Sequence, residues 1–263
     1  MMKIISVCNQ KGGVGKTSTS ITLSSFLALK GHKTLLIDLD PQGNSTSGLG
    51  IEKNEIKVSA YDVLLHEKLI KDVKLDTQIE NLDLLPCNIN LTGAEVELVP
   101  VMGRENRLRK AVNLVSSDYE YVIIDCPPSL GILTVNALTC AHSVLIPIQC
   151  EFYALEGLSQ LINTINIVRD NLNPTLHIEG VLMTMADART KLTEQAISDV
   201  RTNLGNKVYE TVIPRSVKMA EAPGFGKPIM IYDKESVVSK RYEEFVDEFL
   251  ERSQHNNSAT INI

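Results

Sequence analysis

The sequence predicts an α/β protein: a single domain with a mostly parallel, twisted sheet and helices on both faces. Seven short apolar runs alternate with helix-length segments almost to the end of the 263 residues. Continuous apolar runs of this kind are typical of strands that are buried on both faces. No repeat or linker divides the chain. We therefore predict one domain, residues 1–252, followed by a polar tail, 253–263, that is expected to be disordered.

The elements follow from the position of each apolar run and from the periodicity between runs. The predicted strands are 3–8, 33–38, 82–85, 121–125, 143–148, 178–183 and 207–213. The predicted helices lie near 17–30, 104–116, 132–140, 154–171, 192–203 and 236–251. The first helix has apolar residues at helical spacing and ends before Gly31, a typical helix stop. Residues 43–80 are less regular and predict only a short helix near 59–65.

Composition restricts the class of protein. The chain is 43% hydrophobic and 22% charged, and its length is ample for a full core. No stretch approaches the roughly 18 apolar residues of a membrane span, and the chain starts with a strand, so we expect a cytoplasmic protein. The cysteines have no CxxC spacing, which favours buried reduced thiols over a disulfide or a zinc site. They are Cys8, Cys87, Cys126, Cys140 and Cys150.

Charge is spread unevenly along the chain. The net charge of −6 argues against a nucleic-acid-binding surface over the whole molecule. Residues 187–241, however, hold ten Lys and Arg against seven Asp and Glu. Alone, this local excess is also explained by a solvated surface, and it is only a weak indication of DNA binding.

The segment KGGVGKT, residues 11–17, follows the first apolar strand and opens the first helix. Glycines let backbone N–H groups turn inward, and the helix N-terminus adds its positive dipole end, so the segment predicts a phosphate-binding loop. Lys16 is expected to reach the β- and γ-phosphates and Thr17 to ligate Mg²⁺. The predicted nucleotide-binding residues here are Lys11, Gly12, Gly13, Val14, Gly15, Lys16, Thr17 and Ser18. The alternative, a glycine turn with two solvated lysines, does not explain why a strand precedes the loop and a helix follows it.

The loop departs from the usual P-loop pattern at one position. Gln10 stands where that pattern has glycine, and a second lysine, Lys11, stands at the entrance. A loop with two lysines resembles the deviant Walker A subgroup of P-loop ATPases.

Aspartates end two other predicted strands. Asp38 ends the second strand, Asp40 follows two residues later, and Asp125 ends the fourth strand. Ligands of parallel sheets bind at the carboxyl ends of the strands, and an aspartate after an apolar strand is the Walker B arrangement that holds Mg²⁺. One such aspartate is also explained as a turn former, but three downstream of a phosphate loop favour a metal–nucleotide site.

With KGGVGKT, IDLDPQGN and IIDCPPSLG in this order, the chain resembles the ParA/Soj partition ATPases, which are related to the cell-division regulator MinD. Further matching stretches are 147–157, 213–223 and 226–229, so the resemblance covers about residues 3–250. The DLDPQGN and RSVKMAEAP stretches resemble the partition branch in particular.

The resemblance implies a weak ATPase with ATP and Mg²⁺ as cofactors, acting as a homodimer with nucleotide between the subunits. Lys11 would cross to the partner's phosphates, and Gly12 would lie at the closest approach of the subunits. Asp40 would orient the attacking water, while Asp38 and Asp125 would organise Mg²⁺. Lys11 and Lys16 would neutralise charge that develops during phosphoryl transfer. Pro214 and Arg215 resemble the family's adenine-contacting loop.

The resemblance also implies partners. The ATP-bound dimer would bind double-stranded DNA without sequence specificity and would associate with the nucleoid. A ParB/Spo0J-type centromere-binding protein would stimulate hydrolysis and release the DNA. Residues that match DNA-contacting cations of this family are Arg189, Arg215 and Lys218, and Lys234 is a further candidate.

Three other classes of protein have a phosphate loop of this kind. A MinD-like membrane-cycling regulator of cell division is the main alternative, but the last helical segment, 242–251, is acidic, and we expect its apolar face to dock on the core rather than on a membrane. A metabolic ATP-dependent ligase would need a further acid/base or metal cluster. An iron–sulfur member would need a glycine-flanked cysteine pair, whereas Cys126 reads as a buried thiol.

Overall fold

The computed structural model describes residues 2–151 and 156–260. Within them the predicted fold class is confirmed, since a single eight-stranded sheet carries helices on both faces. Residues 152–155 and 261–263 lie outside the described residues. The first group includes the start of the predicted helix 154–171 and part of the family-like stretch 147–157. The second group is the end of the predicted tail.

All seven predicted strands are present, and an eighth was missed. The strands are β1 Lys3–Val7, β2 Thr34–Asp38, β3 Leu75–Asp76, β4 Leu82–Leu85, β5 Tyr121–Asp125, β6 Ser143–Gln149, β7 His177–Ala186 and β8 Val208–Pro214. Their order across the sheet is β3-β4-β2-β5-β1-β6-β7-β8, and β3 alone pairs antiparallel. Two residues are too few for β3 to show a strand pattern.

The long helices match the prediction, the short helix predicted near 59–65 is present at residues 60–66, and several other short helices were not predicted. The α-helices are α1 Lys16–Leu29, α2 Asn44–Gly48, α3 Ala60–His66, α4 Ile70–Val73, α5 Leu91–Glu97, α6 Arg107–Asn113, α7 Ile132–Cys140, α8 Glu156–Asn171, α9 Lys191–Leu204, α10 Val217–Glu221, α11 Ile229–Tyr232 and α12 Val237–Thr260. The predicted helix at 104–116 is a 3₁₀ turn, Arg104–Asn106, followed by α6. Helices of four to seven residues, such as α2, α4 and α5, hold too few turns for a hydrophobic period to be recognised.

The core lies on both faces of the sheet because side chains alternate along each strand. Ile4, Leu35 and Ile37 pack with α3, α6, α7 and α8 on one face, and Ile5 and Leu36 pack with α1 and α12 on the other. The five cysteines are free and buried, as predicted.

Helix α12 closes the second face. Tyr242, Phe245, Val246 and Phe249 are buried, so the predicted docking of this face on the core is confirmed. The helix continues past residue 252, where we placed the end of the domain, because Ser253 is also buried and its hydroxyl donates to Phe249 O at 2.7 Å. No helix in the described part of the chain is long and apolar enough to cross a membrane.

Candidate nucleotide site and basic groove

The loop between β1 and α1 is shaped by its glycines and by Asn9. Gly13 and Gly15 have φ values of 75° and 89°, in the left-handed region that favours glycine. The Asn9 amide donates to Pro147 O at 2.7 Å, and its Oδ1 accepts from Lys11 N at 3.0 Å. The sequence prediction missed Asn9, which anchors the loop to β6.

The two loop lysines have different surroundings. Lys16 is buried, and its Nζ donates to the Lys11 carbonyl at 3.2 Å, so its ammonium lies inside the loop. Lys11 Nζ lies outside the loop, 2.5 Å from Glu151 Oε2, and both side chains are 46% exposed. At Gly12, no atom of the described residues lies within 4 Å of an added Cβ. One lysine therefore faces the chain's own phosphate loop, and the other faces outward.

Asp38 and Asp125 stand side by side at the ends of β2 and β5. They are paired in the parallel register, and both are fully buried. Asp38 Oδ2 accepts from the backbone N and the hydroxyl of Thr46, each at 2.7 Å. Burial raises the pKa of Asp38, and the neighbouring Asp125 raises it further.

Three hydroxyl groups surround Asp125. Ser20 donates to Oδ1 at 3.1 Å and Ser45 to Oδ2 at 2.7 Å, and Thr17 also hydrogen-bonds this carboxyl. Burial raises the pKa of Asp125, whereas these hydrogen bonds lower it. The sequence prediction missed Ser20, Ser45 and Thr46, although the last two directly follow DLDPQGN.

Asp40 lies in the loop after β2 and is 7% exposed. Its Oδ1 accepts from Gln42 N at 2.9 Å, and its carbonyl accepts from the Cys87 thiol at 3.1 Å. Cys87 N also donates to the Thr46 hydroxyl at 2.9 Å, so the segment after β4 holds the loop that carries Asp40.

These residues fit a magnesium ion that is shared with phosphate. The described residues contain no group of three or more His, Cys, Asp or Glu that could hold a metal by themselves. Mg²⁺ in proteins is usually held by one or two carboxylates together with substrate phosphates and water. Asp38, Asp125 and the Thr17 hydroxyl supply that partial set of oxygens beside the phosphate loop.

A mostly apolar cavity of about 280 Å³ opens beside Gly15. It brings together Ser18, Pro214 and Arg215, which the sequence predicted, with Met185 and Tyr242, which it missed. Its lining residues are Gly15, Ser18, Thr184, Met185, Ile213, Pro214, Arg215, Ser216, Met219, Ala220 and Tyr242. Val14 is buried, and its carbonyl accepts from Thr184 Oγ1 at 2.8 Å, which joins the phosphate loop to this wall. The mostly apolar lining and the position beside the phosphate loop fit a nucleotide base.

A groove of about 640 Å³ shares Pro214, Arg215 and Ser216 with this cavity, and Arg189 also lines it. Arg189 is 88% exposed and makes a two-pronged ion pair with Asp187, at 2.8 and 2.7 Å, which lowers the pKa of Asp187 to about 2. Lys218 Nζ lies 3.5 Å from Asp233 Oδ2, and Lys234 is exposed. The four predicted cations are therefore at the surface, two of them with an aspartate partner.

Comparisons with known proteins identify the family. The family model AAA_31, an AAA domain, matches residues 2–178. The sporulation initiation inhibitor protein Soj of Bacillus subtilis is 54% identical, over 94% of this chain and 98% of its own length. The chromosome partitioning protein ParA of Caulobacter vibrioides is 48% identical, over 96% of each chain. This chain belongs to the Soj/ParA family.

A solved structure of the same fold carries ligands. Cobyrinic acid a,c-diamide synthase from Mycobacterium smegmatis, with a bound ATP analogue and magnesium, is 37% identical with a TM-score of 0.86, over 97% of this chain and 96% of that one. The predictions that this Soj/ParA-family chain is an ATPase and that its cofactors are ATP and Mg²⁺ are confirmed.

Proposed function

We propose that this chain is an ATP-dependent dimeric switch of DNA segregation. In the ATP-bound dimer it binds double-stranded DNA non-specifically, and hydrolysis stimulated by a ParB/Spo0J-type protein releases the DNA. The observation that carries this proposal is the shared wall at Pro214–Arg215, which lines both the cavity beside the phosphate loop and the groove with Arg189. The relative named chromosome partitioning protein ParA supports the same role.

The phosphate loop, the strand-end aspartates and the cavity wall bind the nucleotide. Lys16 contacts the β- and γ-phosphates, because its ammonium is already held inside the loop. Thr17, Asp38 and Asp125 hold the magnesium ion, which supplies positive charge beside the phosphates when it is bound. Ser18, Pro214 and Arg215 bound the base. The backbone N–H groups of residues 12–17 add further donors to the phosphates.

Asp40 orients the attacking water. It lies beside Asp38 and is nearly buried, so its carboxylate is held near the site but within reach of a solvent molecule. Phosphoryl transfer depends chiefly on positioning and on electrostatic stabilisation, and a fixed carboxylate supplies the first of these.

Lys11 acts between subunits. It faces away from its own loop, and the space over Gly12 is open among the described residues. Two phosphate-bearing faces repel each other unless cations lie between them, so a lysine from each subunit stabilises a dimer that forms around two nucleotides. Formation of the dimer doubles the number of basic grooves on one particle, which strengthens binding to DNA.

Two alternative functions, a membrane regulator and a metabolic ligase, can be distinguished from the partition switch by experiment. A MinD-like membrane regulator needs a free amphipathic helix, whereas the apolar face of α12 is buried. A metabolic ATP-dependent ligase, by contrast, needs a second substrate in addition to ATP. Phosphate release from ATP without any second substrate, together with cosedimentation on DNA but not on anionic vesicles, supports the partition switch.

DNA binding tests the proposal directly. We expect ATP-dependent binding to duplexes of unrelated sequence, with log affinity falling by about 0.9 per neutralised phosphate for each unit of log salt. Arg189→Glu and Lys218→Glu are expected to lose binding while ATPase activity and dimerisation persist. Lys68→Glu, an exposed cation after α3, serves as the matched control. Lys16→Ala should abolish ATP binding and, with it, every later step. Wild-type protein that never binds DNA with ATP would contradict the switch.

A further inference from the structure

Helix α5 and the turn after it present an apolar surface to solvent. Val96, Val99 and Met102 are 73%, 59% and 96% exposed. Backbone bonds from Val99 N to Val96 O and from Val101 N to Leu98 O continue the helical turn, so these residues follow one another at a spacing of three. Leu98, in contrast, is fully buried. We call Val96, Val99 and Met102, together with Glu95 and Glu97, the α5 surface. Grouped exposed apolar residues of this kind mark interaction sites.

The α5 surface is connected to the loop that carries Asp40. Cys87, just before α5, donates its thiol to Asp40 O and its backbone N–H to the Thr46 hydroxyl. Asn88 then accepts the first backbone hydrogen bond of the α5 turn, from Leu91 N at 3.1 Å. The segment that leads into α5 is therefore hydrogen-bonded to the loop that carries Asp40 and to Thr46, which holds Asp38.

The same surface touches the loop after Asp125. Glu95 Oε1 accepts from the Ser129 hydroxyl at 3.4 Å, and an added Cβ at Gly131 would lie 2.6 Å from that oxygen. Helix α5 contacts the loop after Asp125, the segment that leads into it contacts the loop after β2, and the outward face of α5 takes no part in the core.

The negative charge of the α5 surface indicates which kind of partner would bind there. Neither Glu95 nor Glu97 forms an ion pair with any residue in 2–151 or 156–260. DNA phosphates are repelled by these carboxylates. A second copy seated face to face by a two-fold axis would bring the same carboxylates together. A basic segment with an apolar side satisfies both the carboxylates and the exposed apolar residues.

We propose that the α5 surface is the docking site for a basic, apolar-faced segment of the protein that stimulates hydrolysis. This inference rests on the proposed function, because it names the surface through which that partner acts. Binding there acts on hydrolysis only if the segment prefers the arrangement of the two loops that is competent for hydrolysis. Contact with Glu95 alters its hydrogen bond to Ser129, and a shift of α5 moves Cys87 and the Asp40 loop.

The test uses the full chain with ATP, duplex DNA and the purified ParB/Spo0J-type protein of the same organism. Met102→Asp and Val96→Asp place a charge on the apolar part, and the side chain of Met102 is too exposed for its loss to affect folding. We expect at least a tenfold increase in the partner concentration that gives half-maximal stimulation. Basal ATPase activity, ATP-dependent dimerisation and DNA binding should be unchanged. Ile167→Asp, an exposed apolar position on α8, is the matched control.

A second arm reverses the charge. Glu97→Lys is expected to weaken stimulation, and Glu97→Gln, which keeps an acceptor for the Tyr61 hydroxyl, should have a smaller effect. Normal stimulation of Met102→Asp and Val96→Asp would overturn the proposal while leaving the proposed function intact. Loss of ATP-dependent dimerisation in these variants would assign the surface to a second copy instead. A wild-type protein that the partner does not stimulate would overturn the proposed function and this proposal together.

Discussion

At the residue scale, the two carboxylates of the loop after β2 have separate surroundings. Asp38 Oδ2 accepts two hydrogen bonds from Thr46, whereas Asp40 Oδ1 accepts only a local bond from Gln42 N among the contacts found in the described residues. A carboxylate that is not needed to hold the loop is available for a water molecule. This difference supports the proposed metal-binding role of Asp38 and the proposed water-positioning role of Asp40.

Substitution of Asp40 tests that assignment. Asp40→Ala is expected to keep ATP binding and dimerisation but to lower the rate of hydrolysis about a hundredfold or more, which leaves a long-lived ATP dimer. Single-turnover phosphate release measures the effect. Asp40→Asn retains the acceptor for Gln42 N and controls for the shape of the loop. Hydrolysis at the wild-type rate in both variants would show that another group positions the water.

Lys11 is the residue that tests the proposed dimer. Its ion pair with Glu151 joins two half-exposed side chains, and such pairs contribute only about 0–1 kcal/mol to stability. Lys11→Ala is therefore expected to fold normally and to bind ATP, but to remain a monomer with a non-hydrolysable analogue. Size-exclusion chromatography measures this. Glu151→Gln is the control, since a role of Lys11 confined to its own subunit predicts the same defect in both variants.

At the element scale, α12 contributes to the core beside the nucleotide cavity. Tyr242 lines that cavity, and its hydroxyl lies 3.1 Å from Thr19 Oγ1 on α1. One turn later, Phe245 is fully buried and packs edge-on against Tyr209, with ring centroids 4.9 Å apart. The helix thus connects the wall of the cavity with β8 and the core.

Truncation of this contact should be strongly destabilising. Phe245→Ala is expected to lower the free energy of unfolding by about 3–5 kcal/mol, because it removes a buried ring and leaves a cavity. Denaturant unfolding monitored by circular dichroism measures the change. Phe225→Ala removes a phenylalanine that is 65% exposed and should change stability by less than about 1 kcal/mol. Equal effects of the two substitutions would show that α12 does not depend on this packing.

At the scale of the whole molecule, the open space over Gly12 indicates that a side chain there has no neighbour within the described part of one subunit. Gly12→Val is therefore expected to leave the fold and ATP binding intact and to prevent the ATP dimer, because a branched side chain separates the subunits. Gly12→Ala should give an intermediate dimer affinity. Analytical ultracentrifugation with an ATP analogue distinguishes these outcomes, and a normal dimer from Gly12→Val would place Gly12 away from the interface.

Much of this architecture follows from local chemistry and could be predicted. The strands that carry the site are continuous apolar runs, and the phosphate loop and the strand-end aspartates are contiguous in sequence. Parallel strands bring their carboxyl ends to one edge, so Asp38 and Asp125 were expected to meet, and they do. The short elements α2, α5 and β3 were missed because tertiary packing, rather than periodicity, stabilises them.

The sequence by itself determined the fold class, the phosphate loop and the identity of the acidic groups, since each depends on residues that are neighbours in the chain. Only the tertiary structure decided which distant groups contact these residues. Glu151 pairs with Lys11, 140 residues away, and Ser45 donates to Asp125, 80 residues away. The Cys87 thiol donates to the Asp40 carbonyl. It also decided that Pro214–Arg215 lines both the cavity and the groove. These contacts join distant segments, and no local pattern encodes them, because they arise from how the strands are ordered in the sheet.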